Sequence, residues 1–153
     1  MNVLGKIKFA LVGVMLCLGF FACNDEDEFL GDKDSPFYGK KLFGTWEITW
    51  TKGYETDNGV KEEWDEADEG SFLVFDEDRS GYSYAVDDSL KDYFIWKVKE
   101  NQLGIKLQGN NVFKYGTIDQ LTENELVITM ENDTCKETES YKRIIVNDSI
   151  PEE

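Results

Sequence analysis

Apolar residues in this chain recur at every second position, in short runs broken by turn residues. In Gly44-Thr45-Trp46-Glu47-Ile48-Thr49-Trp50-Thr51, Trp46, Ile48 and Trp50 alternate with Thr45, Glu47, Thr49 and Thr51. A period of two gives one apolar and one wet face, the pattern of a half-buried antiparallel strand. Related runs follow at residues 82–86, 93–99, 103–107, 112–121, 126–130 and 137–146, and residues 71–75 are apolar on both faces. Asp57-Asn58-Gly59, residues 76–81, Glu100-Asn101-Gln102, Gly109-Asn110-Asn111, Glu123-Asn124 and Asn132-Asp133 supply the turns between them. No segment carries a helical period. About eight short strands at regular spacing predict an all-β fold. Short connections favour an up-and-down antiparallel barrel, which hides its edges by closing. Residues 60–69, acidic around Trp64, read either as a ragged strand or as a loop over the barrel mouth.

The stretch before the first strand reads as a delivery system. Lys6 and Lys8 precede an apolar run over residues 9–22, the layout of a secretory signal peptide at 1–22. That run is 14 residues long, short of the ~20 needed to cross a bilayer as a helix. Phe20-Phe21-Ala22-Cys23 resembles a bacterial lipoprotein box. The resemblance implies that Cys23 becomes an acylated mature N-terminus and ties the protein to a membrane, with palmitate-type chains as the anchor. Asn24-Asp25-Glu26-Asp27-Glu28 follows directly and is similar to the export signal of surface lipoproteins in Bacteroidetes-type bacteria. The expected organisation is a signal peptide at 1–22, an acidic tether at 23–41, a barrel at 42–146 and a disordered tail at 147–153. The expected location is the outer membrane, lipid-anchored and exposed on the cell surface.

Charge and composition exclude several functions. The full chain of 153 residues carries a net charge of −16. Removing residues 1–22, with two lysines and no acid, leaves 14 basic against 32 acidic residues, a net −18. Such a surface repels phosphate backbones, so no nucleic acid partner is expected. Aromatics make up 14% of the chain, enough for a packed core despite the charge. The absence of histidine removes the commonest general base and zinc ligand. Cys135 is the only cysteine outside the leader and the lipidation site, so no cysteine–histidine pair and no internal disulfide can form. The chain is therefore read as no enzyme.

The ordered motifs resemble the lipocalins and their short bacterial relatives, the lipocalin-like lipoproteins of Bacteroidetes. Leu42-Phe43-Gly44-Thr45-Trp46 is similar to the opening G-x-W motif, and Tyr141-Lys142-Arg143-Ile144 offers an arginine on the last strand. The resemblance implies a barrel base built from Gly44, Trp46 and Arg143. Residues 75–82 are similar to the family's acidic glycine turn between strands, and residues 121–127 to its late hairpin. A lipocalin-like barrel implies a small apolar or amphipathic ligand.

Eight strands leave room for filler side chains or for one small ligand. Trp50, Phe72, Val74, Tyr82, Tyr84, Phe94, Trp96, Ile105 and Leu107 are the candidate lining. The other reading is a filled core, with the protein an accessory subunit of an outer-membrane complex. Asp76, Asp78, Ser80 and Asp87 match the spacing of calcium ligands in an EF-hand loop. The alternative there is an ordinary hairpin turn, with Gly81 at positive φ.

Overall fold

The computed structural model describes residues 29–145. The expected leader, Cys23, the acid run behind it and the tail at 147–153 lie outside those residues. A short 3-10 turn, Gly39–Leu42, leads into β1 Gly44–Asp57, β2 Val60–Ala67, β3 Ser71–Phe75, β4 Ser80–Ala85 and β5 Lys91–Lys99. Then come β6 Gln102–Leu107, β7 Lys114–Leu121, β8 Glu125–Glu131 and β9 Cys135–Ile144. All pairings are antiparallel, and β1 pairs with β9 as well as with β2 and β3. The sheet therefore closes on itself.

β2 and β3 lie end to end along one side of β1. β3 takes its first residues, from Gly44↔Phe75 to Glu47↔Phe72, and β2 its last, from Trp50↔Ala67 to Asp57↔Val60. They form one leg interrupted near Gly70, which has φ +80°. The barrel thus has eight staves, in the expected up-and-down order. Residues 60–69 are mostly strand rather than loop.

Bulges decide which side chains enter the barrel. Ile48 pairs with Tyr141 but Trp50 with Ser140, so Thr49 is an extra residue on β1. An extra residue reverses the alternation beyond it. Trp46 and Ile48 are buried inward, and after the bulge Thr51 is buried while Trp50 is 43% exposed. The single apolar face expected through Trp46, Ile48 and Trp50 is broken at that point.

The two ends of the barrel differ. At the base, where β1 begins and β9 ends, the apolar core includes Leu42, Trp46, Phe75, Trp96, Val98, Leu103, Leu121 and Leu126. The tether expected to reach residue 41 does not. Leu30 and Phe37 pack against this core. The Phe29 carbonyl accepts from the Val98 amide at 2.6 Å, and its ring meets Trp96 edge to face. Residues 29–41 thereby cover the part of β5 that β4 leaves unpaired. Gly81 does not sit at positive φ. That role falls to Arg79, at φ 76°. Gly81 is needed for another reason: a Cβ there would lie 2.4 Å from both the Val74 carbonyl and the Phe94 ring.

Candidate functional site

The end opposite the base, the mouth, has a polar interior. β9 places Cys135, Glu137, Glu139 and Tyr141 on its inner face, because alternation gives the four one parity. Glu137 and Glu139 are 2% and 1% exposed. The Thr51 hydroxyl donates to Glu137 Oε1 at 3.1 Å, and the Tyr141 hydroxyl donates to Glu139 Oε2 at 2.5 Å. Glu137 Oε2 is buried with no hydrogen-bond partner among the described residues. Gly53 pairs with Glu137 across the seam and with Trp64 on β2. The Trp64 indole accordingly folds over the inner side of β1, and its N–H donates to the Thr51 hydroxyl at 3.3 Å. A Cβ at Gly53 would lie 2.9 Å from that ring.

These carboxyls are hard to ionise. Burial pushes Glu139 up strongly, and the neighbouring Glu137 charge adds to it. Burial also raises Glu137, opposed by the Thr51 hydrogen bond and reinforced by Asp68 and Glu55. Asp68, on the β2–β3 connection, is itself raised by burial. Burial, then the Glu139 charge, keep the Tyr141 phenol protonated well past its usual range. Ile128 and Met130 of β8 face the pair from the other side and bring no charge. The ion pairs Lys142–Glu47, Lys61–Glu63 and Lys136–Glu131 do not involve Glu137 or Glu139.

At the base, the Arg143 guanidinium lies 4.1 Å from the Trp46 ring centroid. It donates to the carbonyls of Phe43, Lys41 and Glu123. The Trp46 indole N–H donates to the Leu42 carbonyl at 2.8 Å. Gly44, at φ +117°, lets this arginine pass, since a Cβ there would meet its Nη1 at 2.9 Å. The guanidinium thus ties the turn before β1 to the β7–β8 turn while covering the indole, a sealing role rather than a chemical one.

The nine residues expected to line a pocket divide between the two faces. Phe94, Trp96, Ile105 and Leu107 are inward, and the first three are buried in the core or beside it. Trp50, Phe72, Val74, Tyr82 and Tyr84 stand on the outer face and cannot line the interior. Leu73 and Phe75 hold the inner positions of β3, so Phe72 and Val74 point out and pair with Tyr84 and Tyr82. Phe72 and Tyr84 stack at 4.8 Å. Tyr82 approaches Tyr93, and Lys91 Nζ lies 4.2 Å from the Tyr82 ring.

A family description, the lipocalin-like domain, matches residues 42–128. The chain belongs to the lipocalin-like domain family. No curated protein matches it. The lipocalin-like match begins at the packed turn before the Trp46 motif and stops at Ile128, inside β8. β9, which carries Arg143 and the acidic pair, follows the matched region.

The lipocalin-like barrel also separates the four residues of the calcium motif. Asp76, Asp78 and Ser80 share the β3–β4 turn at the base, but Asp87 follows β4 at the mouth. Six strand residues between them span roughly 20 Å. The turn also closes on itself: Asp78 Oδ1 accepts from the Ser80 amide and hydroxyl, which lowers its pKa. Among the described residues no group of three or more acidic, cysteine or histidine side chains converges as a metal site. Cys135 is buried at the start of β9, its amide held by the Asn132 side chain.

The acidic pair has no place among the candidates read from sequence. In Cys135-Lys136-Glu137-Thr138-Glu139-Ser140-Tyr141, both faces contain polar residues. The available signal was parity: Glu137 and Glu139 share theirs with Cys135, Tyr141 and the base arginine.

Proposed function

We propose that this lipocalin-like domain is the folded part of a non-catalytic lipoprotein. It is acylated at Cys23, held on the cell-surface side of the outer membrane, and takes one small amphipathic ligand at the barrel mouth. The observation that carries this reading is Glu137 Oε2, a buried carboxyl oxygen without a partner among the described residues, inside a closed barrel. A buried acceptor left unpaired is costly, and a ligand donor removes that cost. The deep interior is packed, which argues against a wholly apolar guest swallowed to the base. Lipocalin-like domains are in general binding domains, which supports a non-enzymatic role.

Geometry also supports the anchoring. Phe29 packs at the base, six positions after Cys23. Six extended residues reach at most about 20 Å. Acyl chains on Cys23 would therefore draw the base toward the bilayer and turn the mouth outward. Protease shaving of intact cells tests the location: loss of the exposed β1–β2 hairpin is expected, and protection of all detectable protein would place it on the periplasmic face. Native mass spectrometry of protein from its own host tests the binding. A stoichiometric co-purifying molecule is expected. An unliganded spectrum, together with no displacement of a hydrophobic dye, would sink the reading.

A second reading, an accessory subunit of an outer-membrane complex, draws on the outer aromatic row of Phe72, Tyr84, Tyr82 and Tyr93. Cross-linking from this row to a neighbouring outer-membrane protein would favour it.

A further inference from the structure

We infer that the mouth binds a ligand carrying one protonated amine, seated between Glu137 and Glu139 on the inner face of β9 and covered by Trp64. The inference rests on the small-ligand reading above and gives that ligand its chemistry. The two carboxyls are neighbours on one strand face, since residues two apart point the same way. Both are buried, and the protein supplies each with one neutral donor, Thr51 for Glu137 and Tyr141 for Glu139. Of the two oxygens left over, Glu137 Oε2 is buried and lacks a donor among the described residues.

The missing donor is a positive one. Asp68 and Glu55 add further negative charge around the pair. Among the described residues, Lys61, Lys136 and Lys142 form their ion pairs with Glu63, Glu131 and Glu47 and not with this pair. A neutral hydroxyl would complete the hydrogen bond but bring no positive charge to favour the carboxylate form of the pair, and an anionic group would be repelled by the acids around it. A hard dication needs six or more oxygen ligands, and no group of three acidic, cysteine or histidine side chains converges here among the described residues. An ammonium brings three donors for the open carboxyl oxygens and a charge that holds the carboxylate form against the burial that disfavours it.

Trp64 supplies the cover. Its ring lies over Gly53, the residue paired with Glu137, and an indole face is a favourable neighbour for an ammonium. β2 carries this ring on the most exposed strand of the barrel, paired along the second half of β1. It is the element best placed to lift and admit a guest to buried carboxyls.

Isothermal titration of the mature chain near neutral pH, with n-octylamine, n-octanol and octanoate, tests the inference. Octylamine should bind once per chain, octanol at least about tenfold more weakly, and octanoate not at all. Glu137→Gln, nearly isosteric, should weaken the amine roughly ten- to hundredfold, as expected for a buried charged hydrogen bond. It should leave octanol unchanged. Glu139→Gln takes its place if that variant fails to fold. Equal affinity for amine and alcohol, or full amine affinity in the folded variant, overturns the inference and leaves the small-ligand reading standing. Failure of all three compounds to bind overturns both.

Discussion

A carboxyl that is harder to ionise in the fold than in the open chain ties stability to pH, and Glu137 and Glu139 do so in the same direction. Their values rise from 4.5 to about 7 and about 8, chiefly through burial. The folded state then binds more protons than the unfolded chain across that interval. Their stabilising contribution is complete below pH 4.5 and is lost as pH rises through about 7 and about 8. The melting temperature of the ligand-free protein should therefore fall between mildly acidic and mildly basic pH. Glu139→Gln should flatten that slope and raise the melting temperature at the basic end. An unchanged slope in the variant would show that the pair is ionised in the fold. The sequence concealed these acids because a glutamate on a strand reads as the wet face. Trp46 and Arg143 were legible because a tryptophan behind a glycine at a strand start, and an arginine at the last strand's end, keep their parity through no bulge. Trp46→Ala should cost about 3 to 5 kcal/mol, read as a large loss in melting temperature. Arg143→Lys should cost less, since lysine keeps the charge and loses the fork that joins three carbonyls.

At the scale of elements, strands and turns were largely legible, and facing was not. The sequence pattern located β3 to β9 to within a few residues of their observed limits, whereas β1 runs six residues past its alternating stretch, from Thr51 to Asp57, and the pattern does not decide β2 between strand and loop. It gave no inner face for β3 and β4, where Phe72-Leu73-Val74-Phe75 and Tyr82-Ser83-Tyr84 are apolar or aromatic on the side that turns outward. The Thr49 bulge hid the facing of β1 for a different reason: an inserted residue has no signature in a run of threonines and tryptophans. The segment before β1 was misjudged through composition. Its Asp, Ser, Pro and Gly suggest a linker, yet Leu30 and Phe37 pack on the core between them. A double variant, Leu30→Ala with Phe37→Ala, should lose roughly 2 to 4 kcal/mol in chemical denaturation. A linker would lose nothing measurable.

For the molecule as a whole, the acid surplus dominates behaviour in solution. The chain's net charge of −16 sets like charges against each other on a small surface. Added monovalent salt screens that repulsion within about 10 Å at a tenth molar. The denaturation midpoint should therefore rise on moving from low to moderate salt, and a falling midpoint would mean that attractive surface pairs outweigh repulsion. Exposed or half-exposed ion pairs such as Lys61–Glu63, Lys136–Glu131 and Lys142–Glu47 are each too weak to reverse the sign.

The join between β1 and β9 sets the timetable of folding. The Thr49 hydroxyl on β1 donates to the Ser140 carbonyl on β9, 91 positions later. Until the final stave arrives, β1 has a bare backbone edge and the greasy lumen stays open along a slit. A ribosome releases that stave after the other eight strands. Every nascent copy must then pass through a gaping half-cylinder, so chaperone protection matters most for this protein in the moments before β9 emerges.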